Sequence, residues 1–267
     1  MKLKVGSVQM KCSIYDVGEN IEKAVNWIEE IAEDADLVVL PELFNVGYTW
    51  ETRLKRYIED SFEETCEILS SIADSYDLHI FAGMGRPEKD KVYNSVAHFA
   101  PLSEPEFYDK THLFRREREI FHAGSSLKTC VVKETIIGVF ICYEVGFPEI
   151  ARTLALRGAE IFVVPFAFSR ERATIYELAT RSRALENGAF LISACQTGKG
   201  LFHFHGHSRV VSPSGEILCD AGDAEGVIMT EIETELVSKY RYEDLPHSHA
   251  YFSNFRGDLY EIPGQRR

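Results

Sequence analysis

Apolar residues recur along the chain with two alternating periods, and the switches between them predict interleaved strands and helices. Between Leu3 and Met10, Leu3, Val5, Ser7 and Gln9 fall on one side and Lys4, Gly6, Val8 and Met10 on the other, the pattern of a strand. From Asn20 to Ala32, the residues Ile21, Ala24, Val25, Ile28 and Ile31 recur at helical spacing, with Asn20 placed as the cap. Leu37-Val38-Val39-Leu40 is apolar throughout, as expected of a strand covered on both faces. Ser61 to Ser75 reads as a helix, and Leu78–Gly83, Val92–Phe99 and Glu106–Asp109 read as strands. Thr135–Ile141 is the clearest strand, and Pro148 opens a helix to Arg157, since proline suits a first turn. Strands at Glu160–Val164 and Ala189–Ala194 flank a helix from Glu171 to Asn187. Short strands follow near His207–Val211, Glu216–Leu218 and Gly226–Thr230. Strands and helices alternate, so the class is α/β.

No repeat, low-complexity tract or linker divides the 267 residues, so 1–267 reads as one domain. Beyond Glu231 the periodicity fades. The stretch 237–267 carries Tyr240, Tyr242, Tyr251, Phe252, Phe255 and Tyr260, and reads as a C-terminal tail used in contacts within a homodimer or higher homo-oligomer.

Composition narrows the function. A formal net charge of −13 argues against a nucleic-acid or anionic-membrane partner. No apolar run approaches the roughly 18–20 residues that cross a bilayer, and the Met1-Lys2-Leu3-Lys4-Val5-Gly6 start does not resemble a signal peptide. The expected location is cytoplasmic. The six cysteines, Cys12, Cys66, Cys130, Cys142, Cys195 and Cys219, contain no Cys-x-x-Cys pair and are expected to be free thiols, most of them buried.

Three residues at strand ends carry candidate chemistry. Cys142 follows the apolar strand and precedes Pro148 by six residues; a turn into a helix N-terminus favours a thiolate there. Glu42 follows Leu37–Pro41, and Lys110 closes Glu106–Asp109. Taken singly, each is an ordinary buried thiol or surface charge. Together they place a base, a cation and a nucleophile at strand ends, where α/β sheets form their sites.

The segments Leu40-Pro41-Glu42-Leu43-Phe44, Tyr108-Asp109-Lys110-Thr111-His112-Leu113-Phe114 and Ile141-Cys142-Tyr143-Glu144-Val145-Gly146-Phe147-Pro148-Glu149 resemble, in order and spacing, the three signature segments of the nitrilase (carbon–nitrogen hydrolase) superfamily. Val5–Gln9, Tyr93-Asn94-Ser95 and Arg183-Ala184-Leu185-Glu186-Asn187 extend the resemblance over roughly residues 3–230. His122-Ala123-Gly124 stands where Glu-Pro-Gly is common in that family, and Glu144 where many amidase-like members have Asp. Phe147-Pro148-Glu149 is similar to the amidase branches.

The resemblance implies a four-layer α-β-β-α sandwich and a Glu42–Lys110–Cys142 triad. It also implies a supporting glutamate after the lysine, for which Glu117 fits the spacing better than Glu119. The implied enzyme is a thiol amidohydrolase that cleaves a small aliphatic or ω-amide to carboxylate and ammonia through a cysteine thioester, without cofactor or metal. Lys110 and the backbone N–H of Tyr143 would hold the oxyanion, and Tyr48, Tyr143, Val145, Phe166 and Phe168 would wall the substrate pocket. N-carbamoyl hydrolysis and nitrile hydrolysis use the same triad and remain alternatives, as does an inactive binding scaffold.

Two further features stand apart from the triad. Arg170 and Arg172 either meet a substrate carboxylate or form a solvated helix start. His203, His205 and His207 alternate as on a strand face, which suits zinc. The lack of an adjacent carboxylate and the flanking Gly200 and Gly206 favour a flexible loop instead.

Overall fold

The computed structural model describes residues 1–246 and 248–260. In chain order the elements are β1 (Lys2–Gln9), α1 (Val17–Glu29), β2 (Leu37–Leu40), α2 (Leu54–Tyr76), β3 (His79–Glu88), β4 (Lys91–Phe99), β5 (Glu106–Asp109), β6 (Thr129–Val132), β7 (Thr135–Val139), α3 (Pro148–Leu156), β8 (Ile161–Phe166), α4 (Ala173–Asn187), β9 (Phe190–Cys195), β10 (Thr197–Lys199), β11 (His203–His205), β12 (Arg209–Val211), β13 (Ile217–Asp220), β14 (Gly226–Glu233) and α5 (Glu235–Tyr242). One sheet has the order β14-β1-β2-β3-β4-β5 and the other β13-β12-β9-β8-β7-β6. The strands β1-β2-β3 and β7-β8-β9 run parallel within their sheets, and antiparallel strands close both edges.

The apolar run Leu37–Leu40 shows how the layers form. Leu37 and Val39 share one core with Leu3, Val5 and Phe81 of their own sheet and Ile161, Val163 and Leu191 of the other, so this face meets the second sheet. Val38 and Leu40 share a different core with Ala24 and Ile28 of α1 and Leu69, Ile72 and Ala73 of α2. Each fully buried aliphatic side chain contributes about 1.5–3 kcal/mol, so the strand favours burial on both sides. On the far side α3 and α4 contact β7, β9 and β12. The result is the four-layer α-β-β-α sandwich. Leu40, Asp109, Val139 and Phe166 all end their strands near one edge of the paired sheets, as the parallel inner strands require.

Several boundaries differ from the sequence reading for identifiable reasons. The cap of α1 is Asp16, whose side chain accepts from the Glu19 N–H; Asn20 lies inside the helix, with its amide spanning Ser13 and the Asn45 carbonyl. α2 begins seven residues before the predicted Ser61, because Leu54 and Ile58 continue its buried stripe. The 203–207 segment is ordered rather than a flexible loop: His203–His205 pairs with Thr197–Lys199 as a hairpin. α5 packs on the body of its own chain through Val237 and Arg241, with the Arg241 guanidinium donating to the Asn187 carbonyl and Phe252 stacked beneath it at 4.7 Å. Of the predicted tail, His247 and residues 261–267 lie outside the described residues.

Candidate active site

The Glu42 segment leaves β2 through Pro41 and is pressed against β3. A Cβ added to Gly83 would lie 2.5 Å from the Pro41 carbonyl and 2.6 Å from Glu42 Cα, so only glycine permits this approach. The Phe44 N–H donates to the Gly83 carbonyl at 2.9 Å and fixes the turn. Glu42 is wholly buried, and every oxygen it carries is engaged. Oε1 accepts from Lys110 Nζ at 2.7 Å and Asn94 Nδ2 at 2.8 Å, Oε2 accepts from the Ala167 N–H at 2.9 Å, and its carbonyl accepts from Gln196 Nε2 at 2.7 Å.

Lys110 is equally buried, at the end of β5, and its ammonium also donates to Glu117 Oε1 at 2.9 Å. Glu117 in turn accepts from the Tyr48 hydroxyl at 2.6 Å and the Phe114 N–H at 2.8 Å. Glu119 instead lies on the surface, paired with Arg116 at 2.8 Å. Burial by itself would lower the Lys110 pKa, but the Glu117 and Glu42 carboxylates overcome it and raise it, so the lysine stays cationic. Burial raises the Glu117 pKa despite the ammonium beside it.

Cys142 begins a 3-10 turn, Cys142–Gly146, after the last residues of the β7 strand segment. Its φ of 47° is left-handed, an uncommon conformation for a residue with a Cβ and one often found at functional sites. The turn is anchored by Glu144. One carboxylate oxygen accepts from the Ile141 N–H at 2.8 Å, and the other from the Thr111 N–H at 2.8 Å and the Thr111 hydroxyl at 2.6 Å. The Tyr108 hydroxyl reaches the same carboxylate at 2.9 Å. One side chain therefore ties the cysteine turn to the residues that flank Lys110. Burial would raise the Glu144 pKa, but hydrogen bonds from His112, Thr111 and the Ile141 N–H hold it below the ordinary carboxylate value.

The surroundings of the Cys142 sulfur favour the protonated form over the expected thiolate. Burial pushes its pKa up, the neighbouring Glu42 adds to this, and Lys110 offsets only part. The helix starting at Pro148 is separated from the sulfur by the whole 3-10 turn, so its N-terminus does not supply the expected stabilisation. A buried thiol beside a carboxylate is suited to give up its proton to that carboxylate as it attacks.

Cys142 opens onto a cavity of about 270 Å³ lined by Tyr48, Phe114, Arg115, Tyr143, Ala167, Phe168, Ser169, Glu171, Arg172 and Phe202. Of the five predicted wall residues, Tyr48, Tyr143 and Phe168 are there. Val145 and Phe166 are not. Both are core residues: Phe166 ends β8 against Tyr176, ring centroids 5.1 Å apart, and Val145 packs in the core while its carbonyl takes the Arg183 Nε–H at 2.9 Å. Arg172 lines the cavity, whereas Arg170 reaches outward to Asp223 at 2.9 Å. Sequence reading quoted Asn94 and Glu144 within matched segments without giving either a role, and it missed Gln196. For Asn94 a signal existed, as a polar residue inside a strand that is otherwise mostly buried.

The histidines form pairs with carboxylates brought in from other elements. His207 Nδ1 is 2.9 Å from Asp220, His205 Nε2 is 3.6 Å from Glu177, and the two rings stack at 4.7 Å. Among the described residues, no group of three or more His, Cys, Asp or Glu side chains is arranged to hold a metal ion. Among the described residues, no helix is long and apolar enough to cross a membrane.

Comparison with known proteins agrees with this architecture. Residues 4–242 match the carbon–nitrogen hydrolase family model. The chain is 36% identical to a nitrilase of Pyrococcus abyssi, over 91% of this chain and 94% of the relative. It is 31% identical to a human omega-amidase, over 91% of this chain and 92% of the relative. The structure of Nit3 from Saccharomyces cerevisiae, a member of branch 10 of the nitrilase superfamily, superposes with a TM-score of 0.79 at 30% identity, covering 90% of this chain and 93% of Nit3. The chain belongs to the carbon–nitrogen hydrolase family, within the amidase-like part of the nitrilase superfamily, and is a hydrolase of non-peptide C–N bonds.

Proposed function

We propose that Glu42, Lys110 and Cys142 are the catalytic residues of a thiol amidase that hydrolyses a small aliphatic or ω-amide to a carboxylate and ammonia. The observation that carries this reading is the buried Glu42–Lys110–Glu117 array beside a thiol at the floor of a small cavity. The omega-amidase activity named for similar proteins supports the choice of an amide over a nitrile or N-carbamoyl substrate.

Glu42 takes the Cys142 proton as the sulfur attacks the amide carbonyl, and the C–O π electrons move to oxygen. Lys110 Nζ and the Tyr143 N–H receive that oxyanion; one such preorganised donor is worth about 2.7–4 kcal/mol of barrier. The tetrahedral adduct collapses, the C–N bond breaks, and protonated Glu42 gives its proton to the departing nitrogen, which leaves as ammonia. Water then loses a proton to Glu42 and adds its oxygen to the thioester carbon. The C–S bond breaks, and Glu42 returns the proton to sulfur. The same carboxylate serves as base and acid in both halves. Glu117 shares the Lys110 ammonium, and its hydrogen bond from Tyr48 ties it to the cavity wall.

The test is ammonia release from a panel of short amides by wild-type and Cys142→Ala protein, with mass spectrometry of a trapped acyl adduct on Cys142. A folded Cys142→Ala protein that retains turnover would sink the reading. Carbon dioxide appearing with ammonia would redirect it to N-carbamoyl hydrolysis.

A further inference from the structure

The cavity mouth carries two guanidiniums that no carboxylate neutralises. Arg115 and Arg172 both line it, and both sit over the ring of Phe114, at 5.1 and 4.4 Å from its centroid. Among the described residues neither makes a salt bridge, although many other arginines of this acidic chain do: Arg53, Arg56, Arg86, Arg116, Arg170, Arg183, Arg209 and Arg256 are paired. With a formal net charge of −13, carboxylates are plentiful. Two cations beside one ring, neither paired with a carboxylate, leave positive charge open to an anion that enters the cavity.

The backbone presents Arg115 deliberately. Phe114 is extended, Arg115 is left-handed with φ 47°, and Glu117 reaches back to accept the Phe114 N–H. Ile141, Cys142 and Glu144 repeat this arrangement with the same φ of 47° at Cys142. The same strained turn thus delivers the thiol to the cavity floor and a guanidinium to its mouth. The acid in the lining, Glu171, is held below the ordinary carboxylate pKa by its own backbone N–H and by Ser169, and it makes no ion pair with either arginine. A planar guanidinium binds a carboxylate through two parallel N–H donors.

We propose that Arg115 and Arg172 form a carboxylate clamp that selects ω-amides of short dicarboxylates, with the amide end on Cys142 and the carboxylate end received by the two guanidiniums. The inference rests on the amidase reading and adds to it the residues that set substrate choice. The clamp binds substrate and transition state alike, so it acts on KM rather than kcat.

The experiment compares glutaramate with valeramide, an uncharged amide of the same chain length, in wild-type, Arg115→Gln, Arg172→Gln and the double variant. KM for glutaramate should rise about tenfold or more in each single variant and further in the double, with kcat within about threefold. Valeramide kcat/KM should stay within about threefold throughout. Calorimetric titration with glutarate, the product dianion, reads the clamp without turnover: wild-type protein should bind it and the double variant should not. Equal wild-type kcat/KM for the two amides, or undiminished glutarate binding by the double variant, would overturn the clamp. Parallel loss of glutaramate and valeramide turnover would also overturn it, because the arginines would then be supporting the pocket wall. Absence of turnover with both amides would overturn the amidase reading instead, and the glutarate titration would still decide the clamp.

Discussion

Removing the Lys110 ammonium tests the electrostatic logic of the site most directly. In the wild type one buried cation sits 2.7 Å from Glu42 and 2.9 Å from Glu117, with essentially no solvent access to any of the three. Lys110→Met preserves much of the side-chain volume and leaves two carboxylates facing an apolar atom. Breaking a buried ion pair by deleting one partner costs about 3–5 kcal/mol, a large fraction of the total stability of a domain. The variant can reduce this by protonating a carboxyl, and Glu117, whose pKa burial already raises, is the group placed to do so. The sign follows from linkage. A folded-state pKa raised above the unfolded value means that the native state binds more protons, so the stabilisation is complete below the unfolded value and is lost as pH rises through the folded one. Without Lys110 to lower it, Glu117 moves further up. The variant should therefore be most stable near pH 5 and lose up to about 1.4 kcal/mol per pH unit above that, per proton involved. Wild-type protein should show a much shallower slope over the same range. Urea unfolding of both proteins between pH 5 and pH 8 measures it. A Lys110→Met protein whose stability deficit is below about 1 kcal/mol, or independent of pH, would refute the picture of a buried array held together by this cation.

Two further substitutions probe the scaffold beneath the site. Gly83→Ala puts a methyl 2.5 Å from the Pro41 carbonyl and 2.6 Å from Glu42 Cα, both backbone atoms that cannot swing away. It should cost about 1–3 kcal/mol as overpacking and reduce kcat at least tenfold by displacing Glu42; unchanged thermal stability and kcat would show that the strand and the Glu42 turn are less tightly apposed. Glu144→Gln keeps the shape but places an NH₂ where only acceptors are satisfied, against the Ile141, Thr111 and Tyr108 donors. Leaving such donors unpaired costs about 1–3 kcal/mol, and kcat should fall with little change in KM, accompanied by slower alkylation of Cys142; a variant with normal alkylation and kcat would remove Glu144 as the residue that positions the cysteine turn.

The parts of this molecule that were legible in the sequence are those whose cause is local. Leu37–Leu40 had to be a doubly covered strand because it offers apolar side chains to both faces, and Glu42, Lys110 and Cys142 could be singled out because each follows a strand-like run. Residues whose role depends on a partner far along the chain were not legible. Asn94 becomes a Glu42 ligand only because β4 lies beside β3, and Gln196 reaches the Glu42 carbonyl across 154 residues of sequence. The misplacement of Phe166 has the same origin. It has the parity of Phe168, but β8 ends at Phe166, the alternation lapses, and only Phe168 turns to the cavity while Phe166 stays in the core. Arg172 could not be told from Arg170 by sequence, because what separates them is the carboxylate of Asp223 and the ring of Phe114, neither nearby in the chain.

The two strained turns connect these levels. A left-handed residue with a Cβ costs of order 1–3 kcal/mol and persists only where its surroundings fix it. Here the fixing group in each case is a buried glutamate three residues beyond the extended residue, with one carboxylate oxygen on that residue's N–H. The other oxygen is committed elsewhere: in Glu117 to Lys110 and Tyr48, in Glu144 to Thr111 and Tyr108. Each glutamate therefore closes a local turn and joins it to a distant strand end with one side chain. Substituting either one loosens a turn and an inter-element tie together. Both effects converge on Lys110, which Glu117 contacts directly and Glu144 steadies through the adjoining Thr111. That dependence explains how residues from three separate strand ends are held in one array.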